Sequence, residues 1–438
     1  MILIARDEER RLLEECYRAR KPEFIVVYGR RRVGKTYLVR ETFKDRFSFV
    51  FTGYAGVTTA RQLARFNVAL NEYGLRDTGA PKDWYDAFDR LKQLIIQNSE
   101  QQKKVILLDE MPWMDTKRSE FISALEGFWN GWASAREDIL LIACGSATSW
   151  ITKKLFANRG GLHNRVTRRI RLKPFPLGEC EQYFQAREMV FERPQILEAF
   201  MVFGGIPYYL DQLHESMSIA QNIDALCFSA NGALIDEYDA LYSSLFDRPE
   251  RYIAIVESLA SKRRGLTREE IITASKIADG GTLTKTLKDL EQCGFIRRFD
   301  EFGNRRNGAV FQLIDPFTLF YLQKMRGAAR AQSGNWLNDI NSGSTHAWAG
   351  YAFEIACLWH IDQIKQKLGI AGVATNISTW RCQTEQGGAQ IDLVIDRADG
   401  IINLCEMKHS NKPYLITKDY AQTLQQKRAL FYSVTNNR

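Results

Sequence analysis

Residues Gly29 to Thr36 read G-R-R-R-V-G-K-T, and two glycines, a lysine and a hydroxyl at this spacing suit the holding of phosphate. Gly29 and Gly34 let the backbone curl, so that the N–H groups of Arg30, Arg31, Arg32 and Val33 point at a chain of phosphates. Lys35 reaches the β- and γ-phosphates, and Thr36 offers its hydroxyl to Mg²⁺. Tyr37 continues the helix that starts there, whose positive dipole end favours the same anion. A second pair, Asp109-Glu110, ends the apolar run Val105-Ile106-Leu107-Leu108. At the end of a buried strand, Asp109 would hold Mg²⁺ through water and Glu110 would polarise the attacking water. Together the two motifs imply ATP and Mg²⁺ as ligands, and hydrolysis as the reaction.

Such a site needs strands to carry it. Phe24-Ile25-Val26-Val27-Tyr28 feeds the glycine loop, and short apolar runs at 24–28, 47–52, 104–108, 139–144 and 168–172 alternate with helical stretches. That alternation predicts βαβ units around a parallel sheet. Ile139–Cys144 leads into Gly145-Ser146, and ligands of open α/β sheets bind at the strand ends. Ser146 either senses the γ-phosphate or caps the next helix.

At 438 residues the chain exceeds one ordinary core, so two to three domains are expected. Its 45% apolar and 26% charged residues fit a soluble globular protein, and no apolar run approaches the roughly 18–20 residues of a membrane span. The first residues lack the layout of a secretory signal. Eight cysteines without a C-x-x-C pair suggest neither a zinc site nor a disulfide framework, so a cytoplasmic location is expected and no membrane partner. A net charge of +8 is compatible with a polyanionic partner. The excess is clustered: Lys153, Lys154, Arg159, Arg165, Arg168, Arg169, Arg171 and Lys173 occur without an intervening acid.

These motifs, in order, resemble the archaeal-type P-loop ATPase family, AAA-like enzymes related to signal-transducing ATPases. The resemblance rests on G-R-R-R-V-G-K-T, L-L-D-E, Gly145-Ser146-Ala147, Asn164-Arg165 and Lys173-Pro174-Phe175-Pro176-Leu177, and on Gly204-Gly205-Ile206-Pro207-Tyr208-Tyr209-Leu210. It covers residues 1–230 and implies a P-loop NTPase sheet followed by a small helical lid. It also implies an arginine after the sensor strand that completes the γ-phosphate site, for which Arg165 is the candidate and Arg168 the alternative.

Residues 250–315 have another texture. Apolar spacing predicts a helix over 251–259, Thr267 with Glu270 forms a capping box, and a further helix runs over 282–293 to Gly294. Runs at 295–299 and 309–313 can then pair as a hairpin across Gly303-Asn304. Three helices and a hairpin are the winged helix-turn-helix layout. Thr282, Thr284, Lys285, Thr286 and Lys288 would face DNA, with Arg297, Arg298, Arg305 and Arg306 on the wing for phosphates. A winged helix used only between proteins or domains is the other reading.

Towards the C-terminus, Gln390–Ile395 and Ile401–Lys408 read as strands. Glu406 and Lys408 share a face at period two, and with Asp392 they supply the two carboxylates and lysine that Mg²⁺-dependent phosphodiester hydrolysis requires. Residues 345–432 resemble the PD-(D/E)xK nuclease superfamily. By that resemblance Asp392 and Glu406 are metal ligands, Lys408 is the catalytic lysine, and Glu354 matches the acidic residue of the first helix. The chain departs from the pattern in lacking a proline before Asp392, and it stops before a last strand and helix that relatives usually have.

The expected fold is therefore α/β: a P-loop NTPase core at 1–175, a helical lid at 176–245, a winged helix-turn-helix at 246–316, and a restriction-endonuclease-like domain with a helical joint at 317–438. The expected function is an ATP-hydrolysing, DNA-associated protein whose nucleotide state controls the winged helix and the nuclease-like domain. The alternative is a signal-transducing ATPase switch acting by protein–protein assembly, with an inactive docking domain. ATP and double-stranded DNA are the expected partners, and homo-oligomerisation is left open.

Overall fold

A computed structural model describes residues 3–435 apart from 77–78, 98–101, 158–159, 163, 301, 304–308, 328–333, 385–386 and 411. Arg159, Arg305 and Arg306 lie outside the described residues. The chain divides into two compact units, Met1–Pro174 with Ile206–Tyr208, and Phe175–Gly205 with Tyr209–Arg438.

The first unit is an α/β fold on five parallel strands, β1 (Glu23–Tyr28), β2 (Phe47–Thr52), β3 (Lys104–Asp109), β4 (Ile139–Gly145) and β5 (Arg168–Arg171). Their order is β2-β3-β4-β1-β5. β3 and β4 are buried along their whole length. They read as unbroken apolar runs because both faces of a parallel sheet are covered. On one face Phe24, Val26, Phe49, Phe51 and Ile106 join an aromatic core with Phe66, Trp84, Phe88, Phe121 and Phe128. Those rings come from the helices Thr59–Glu72, Trp84–Gln97 and Phe121–Gly131. Since β1 lies between β4 and β5, the strand order reverses beside it. The loops leaving β1, β3 and β4 consequently share one edge of the sheet.

One charged residue is part of this framework. Lys103, just before β3, is only 5% exposed, and its Nζ donates to the carbonyls of Ala19, Lys21 and Glu137 at 2.7, 2.7 and 2.8 Å. All three ammonium protons are used, and the approaches to β1, β3 and β4 are tied together.

In the second unit the helix Arg193–Phe203 ends at Gly204. Gly205 follows with φ +65°, and a Cβ there would stand 2.0 Å from the carbonyl oxygen of Phe175, whose own N–H donates to Gly205 at 2.7 Å. The Gly-Gly pair thus lets two strands of chain close on each other. Further on come the helices Pro249–Ala260, Arg268–Ser275 and Gly281–Gln292, with an antiparallel sheet of β6 (Leu266–Thr267), β7 (Ile296–Asp300) and β8 (Ala309–Leu313) in the order β6-β8-β7. Thr267 caps its helix, accepting from Glu270 N–H while the Glu270 carboxylate accepts from Thr267 N–H. The helix Gly343–Trp359 precedes a second antiparallel sheet, β9 (Thr375–Thr384), β10 (Gly387–Arg397) and β11 (Ile402–Cys405), and Lys418–Thr435 is the last helix.

The strand expected to run to Lys408 stops at Cys405. β10 carries a bulge between Ile391 and Val394, where 406 and 407 would have continued the ladder, and the Met407 N–H is taken by the Asp392 carboxylate at 3.0 Å instead. Among the described residues no helix is long and apolar enough to cross a membrane, and no disulfide joins the described cysteines.

Replacing Lys103 by Met strands three carbonyls that now have a donor. At about 1–3 kcal/mol for each buried orphan, with water recovering part, a loss of roughly 2–4 kcal/mol is expected. Urea unfolding followed by tryptophan fluorescence reads it.

Candidate functional site

The glycine loop, Asp109, Glu110 and Ser146 meet at the shared edge of the parallel sheet. Gly29 follows β1 with φ +149°, and a Cβ there would lie 2.2 Å from the Leu172 carbonyl oxygen, so no larger residue fits. Gly34, at φ +87°, turns the chain into the helix Lys35–Phe43. Lys35 is buried, and its Nζ donates to the carbonyls of Gly29 and Arg30 at 3.2 and 2.9 Å. The ammonium therefore sits inside the curl, where phosphates would lie. Val33 and Arg30 are buried, Arg31 is partly covered and Tyr37 is exposed. The Arg32 guanidinium stacks 4.0 Å over the ring of Tyr208, a residue of the Gly-Gly-Ile-Pro-Tyr-Tyr-Leu motif that belongs to the same unit.

Opposite the loop, the Thr36 hydroxyl donates to the two carboxylate oxygens of Asp109 at 3.0 and 3.1 Å. Burial pushes the Asp109 carboxyl above its usual range, against the lowering pull of Thr36. A hydroxyl and a desolvated carboxylate side by side are a donor set that a hard cation satisfies, so these residues fit Mg²⁺. The Glu110 Oε2 accepts from the Ser146 N–H at 3.3 Å and from its hydroxyl at 3.0 Å. Of the two readings for Ser146, capping is not the one realised: the next helix, Thr148–Ile151, has Ala147 at its N-cap with no side-chain bond. Glu110 itself has φ +46° and ψ +42°, a left-handed conformation uncommon for glutamate.

Arg165 is not brought to this place. It is exposed on the turn before β5, where Thr167 bonds to Phe24 at the beginning of β1. The glycine loop leaves the other end of β1, roughly 16 Å away at about 3.3 Å per residue. Arg168 pairs with Ile25 and shares the problem, whereas Arg171 pairs with Tyr28, beside the loop. Sequence spacing counted arginines after the sensor strand; the register of β5 decides which one reaches the site.

In the second unit Thr282, Thr284, Lys285 and Lys288 are exposed on the helix Gly281–Gln292, but Thr286 is buried with its hydroxyl on the Thr282 carbonyl. Arg298 is exposed. Arg297 turns inward: its Nε donates to Gln312 Oε1 at 2.9 Å, and burial pulls the guanidinium down to about 10.

The C-terminal residues divide into two groups. Glu354, 5% exposed, is held by Arg263, whose Nε donates to Oε2 at 2.5 Å and whose Nη2 donates to Oε1. Burial pushes the Glu354 carboxyl up to about 7, with Arg263 opposing and Asp392 adding to the rise. Glu354 and Asp392 line one cavity of about 20 Å³ with Arg263 and Met407. Glu406 instead pairs with Lys427 of the last helix at 2.7 Å and with Lys408 at 3.7 Å, and Lys408 lies 5.7 Å from the Tyr420 ring centre. The bulge in β10 accounts for the division. It sets Ile391 and Val394 towards the last helix, with Trp380 and Phe431, while Leu393 and Ile395 pack with Phe353 and Met407. Among the described residues no three metal-ligating side chains cluster. The expected constellation of Glu354, Asp392, Glu406 and Lys408 does not fit a divalent cation as built.

Residues 3–213 match the model of a family described as an ATPase domain predominantly from Archaea. They form an ATPase domain of that type. An uncharacterized protein of Methanocaldococcus jannaschii is 25% identical over 325 residues, which are 74% of this chain and 68% of that protein. The Walker-type ATPase of Pyrococcus abyssi shares the fold at a TM-score of 0.51 and 17% identity, over 73% of this chain and 96% of its own. The ORC2 protein of Aeropyrum pernix, in ADPNP–ADP complexes, gives a TM-score of 0.44 at 15% identity, over 82% and 95% of the two chains.

The ATPase domain makes Ser146 testable. Its hydroxyl bond to an ionised carboxylate is worth about 1.5–3 kcal/mol, so Ser146→Ala should lower turnover roughly 10- to 100-fold while nucleotide affinity holds. Steady-state hydrolysis and titration with a fluorescent ATP analogue separate the two effects.

Proposed function

We propose that the chain is a Mg²⁺-dependent ATPase whose nucleotide state governs a DNA-contacting winged helix, and whose C-terminal domain serves for docking. The observation that carries the first half is the approach of Thr36 to Asp109 beside Glu110, with Lys35 inside the loop. Lys35 exchanges its two carbonyl partners for β- and γ-phosphate oxygens when ATP binds. Thr36 holds Mg²⁺ directly and Asp109 holds it through water, and the ion offsets charge on the phosphates. Ser146 keeps Glu110 Oε2, leaving Oε1 to take the proton of the attacking water. The exposed Thr282, Thr284, Lys285 and Lys288 support contact with a DNA groove and its phosphates. The ion pairs around Glu354 and Glu406 favour docking over catalysis for the last domain.

In Lys35→Ala, ATP binding is lost, and unchanged nucleotide affinity there would overturn the site. Glu110→Gln keeps ATP but loses turnover by about 100-fold or more. For DNA, the affinity for a duplex falls steeply with salt, and Lys288→Ala reduces the slope of log K against log salt by about 1. A flat salt response in fluorescence anisotropy would remove the winged-helix role.

A further inference from the structure

The cavity that holds Glu354 and Asp392 contains a cation already, and it belongs to the chain. Arg263 stands on the turn after the helix Pro249–Ala260, and its guanidinium makes a two-point contact with the Glu354 carboxylate. A further bond from Nη2 reaches the Gly350 carbonyl at 3.4 Å. The backbone of Arg263 is fixed as well, since its carbonyl accepts from Gln312 Nε2 at 2.7 Å, and Gln312 is held in turn by Arg297. Beside them, Tyr351 lies three residues before Glu354 on the same helix and is 3% exposed, and its hydroxyl has no hydrogen-bond partner among the described residues. That hydroxyl lies within electrostatic reach of Glu354, Arg297 and Arg263. A buried hydroxyl left unsatisfied next to two carboxylates marks an oxygen-rich pocket whose present occupant leaves one donor set unused.

We infer that Arg263 is a built-in cation that locks this pocket, so that Glu354 and Asp392 accept a divalent metal ion only when Arg263 has left. The inference rests on reading the C-terminal domain as nuclease-like, a layout in which these carboxylates would face a metal. The disagreement between that layout and the pocket as built is explained by the arginine: a planar guanidinium satisfies both oxygens of Glu354 and fills the space between the two carboxylates. Mg²⁺ and Mn²⁺ need only one or two carboxylates plus water, so removal of one side chain is enough to create a site.

The test is uptake of Mn²⁺ by the nucleotide-free full chain, read from loss of the free-ion signal in electron paramagnetic resonance. Wild type and Asp392→Asn should take up Mn²⁺ equally, since the pocket is locked in both. Arg263→Met should take up one further equivalent, which disappears in Arg263→Met/Asp392→Asn, and Arg263→Lys should behave as wild type. Asp392-dependent uptake by wild type would overturn the lock, as would a folded Arg263→Met that takes up none. Circular dichroism and urea unfolding report folding. Should Arg263→Met not fold, Arg263→Gln, which keeps a donor without the charge, carries the same two results. Incubation of the unlocked variant with plasmid DNA separates the inference from the reading beneath it. Added Mn²⁺ uptake without nicking keeps the lock and rejects the nuclease; nicking that is lost with Asp392→Asn keeps both.

Discussion

The hydroxyl of Thr36 donates to a carboxylate, that of Asp109, that is almost wholly removed from water, and the first unit is arranged around that contact. A carboxylate so placed is costly unless something of opposite character is brought to it. The hydroxyl meets part of the requirement, and the Glu110 N–H meets another part at 3.1 Å. What remains is an attraction for a cation, located where a nucleotide's phosphates would also need one. For this to happen Thr36, one turn into the helix after β1, must face the end of β3, two strands away. The order β3-β4-β1 achieves it, because the parallel strands deliver their C-terminal ends to one edge. The apolar strands and the aromatic core beneath them fix that edge in place.

The second unit solves the opposite problem. It buries charges that no ligand accompanies, and it satisfies them from within: Arg263 on Glu354, Lys427 and Lys408 on Glu406, Gln312 on Arg297. Such pairs contribute little net stability when set against apolar packing, yet removing one partner is expensive, because the other is left charged and dry. They therefore act less as glue than as constraints on which arrangement the unit adopts. Arg263 ties the turn before β6 to the helix Gly343–Trp359, and Gln312 on β8 supports both arginines.

How much of this could be read from the chain depends on the range of the interaction. The glycine loop, the Asp109-Glu110 strand end and the five parallel strands are local: each is a run of residues whose order alone fixes its geometry. The strands observed begin and end within a residue or so of the apolar runs. The failures are all questions of register or of partner. Arg165 was the wrong arginine because its distance from the loop depends on how β5 slides against β1, and that register is set by Thr167 bonding to Phe24. Glu406 and Asp392 parted because one extra residue at the β10 bulge reverses the facing of everything beyond it. Lys103 and Arg297 read as surface charges, yet both are buried, and their partners are carbonyls and an amide distant in sequence. No local pattern announces such partners.

Glu110 shows where a local rule and a functional need conflict. Its backbone sits in the left-handed region, at a cost of order 1–3 kcal/mol for a residue that is not glycine. The surroundings give a reason for retaining it. The conformation follows directly on β3, and it turns the side chain out of the strand direction and across to Ser146 at the end of β4. A relaxed extended residue at 110 would continue β3 and carry its carboxylate away from the glycine loop. Asparagine or glycine would relieve the strain and remove the carboxylate with it. The backbone strain and the carboxylate position are therefore one feature, held by the two bonds from Ser146 and by the buried strands on either side.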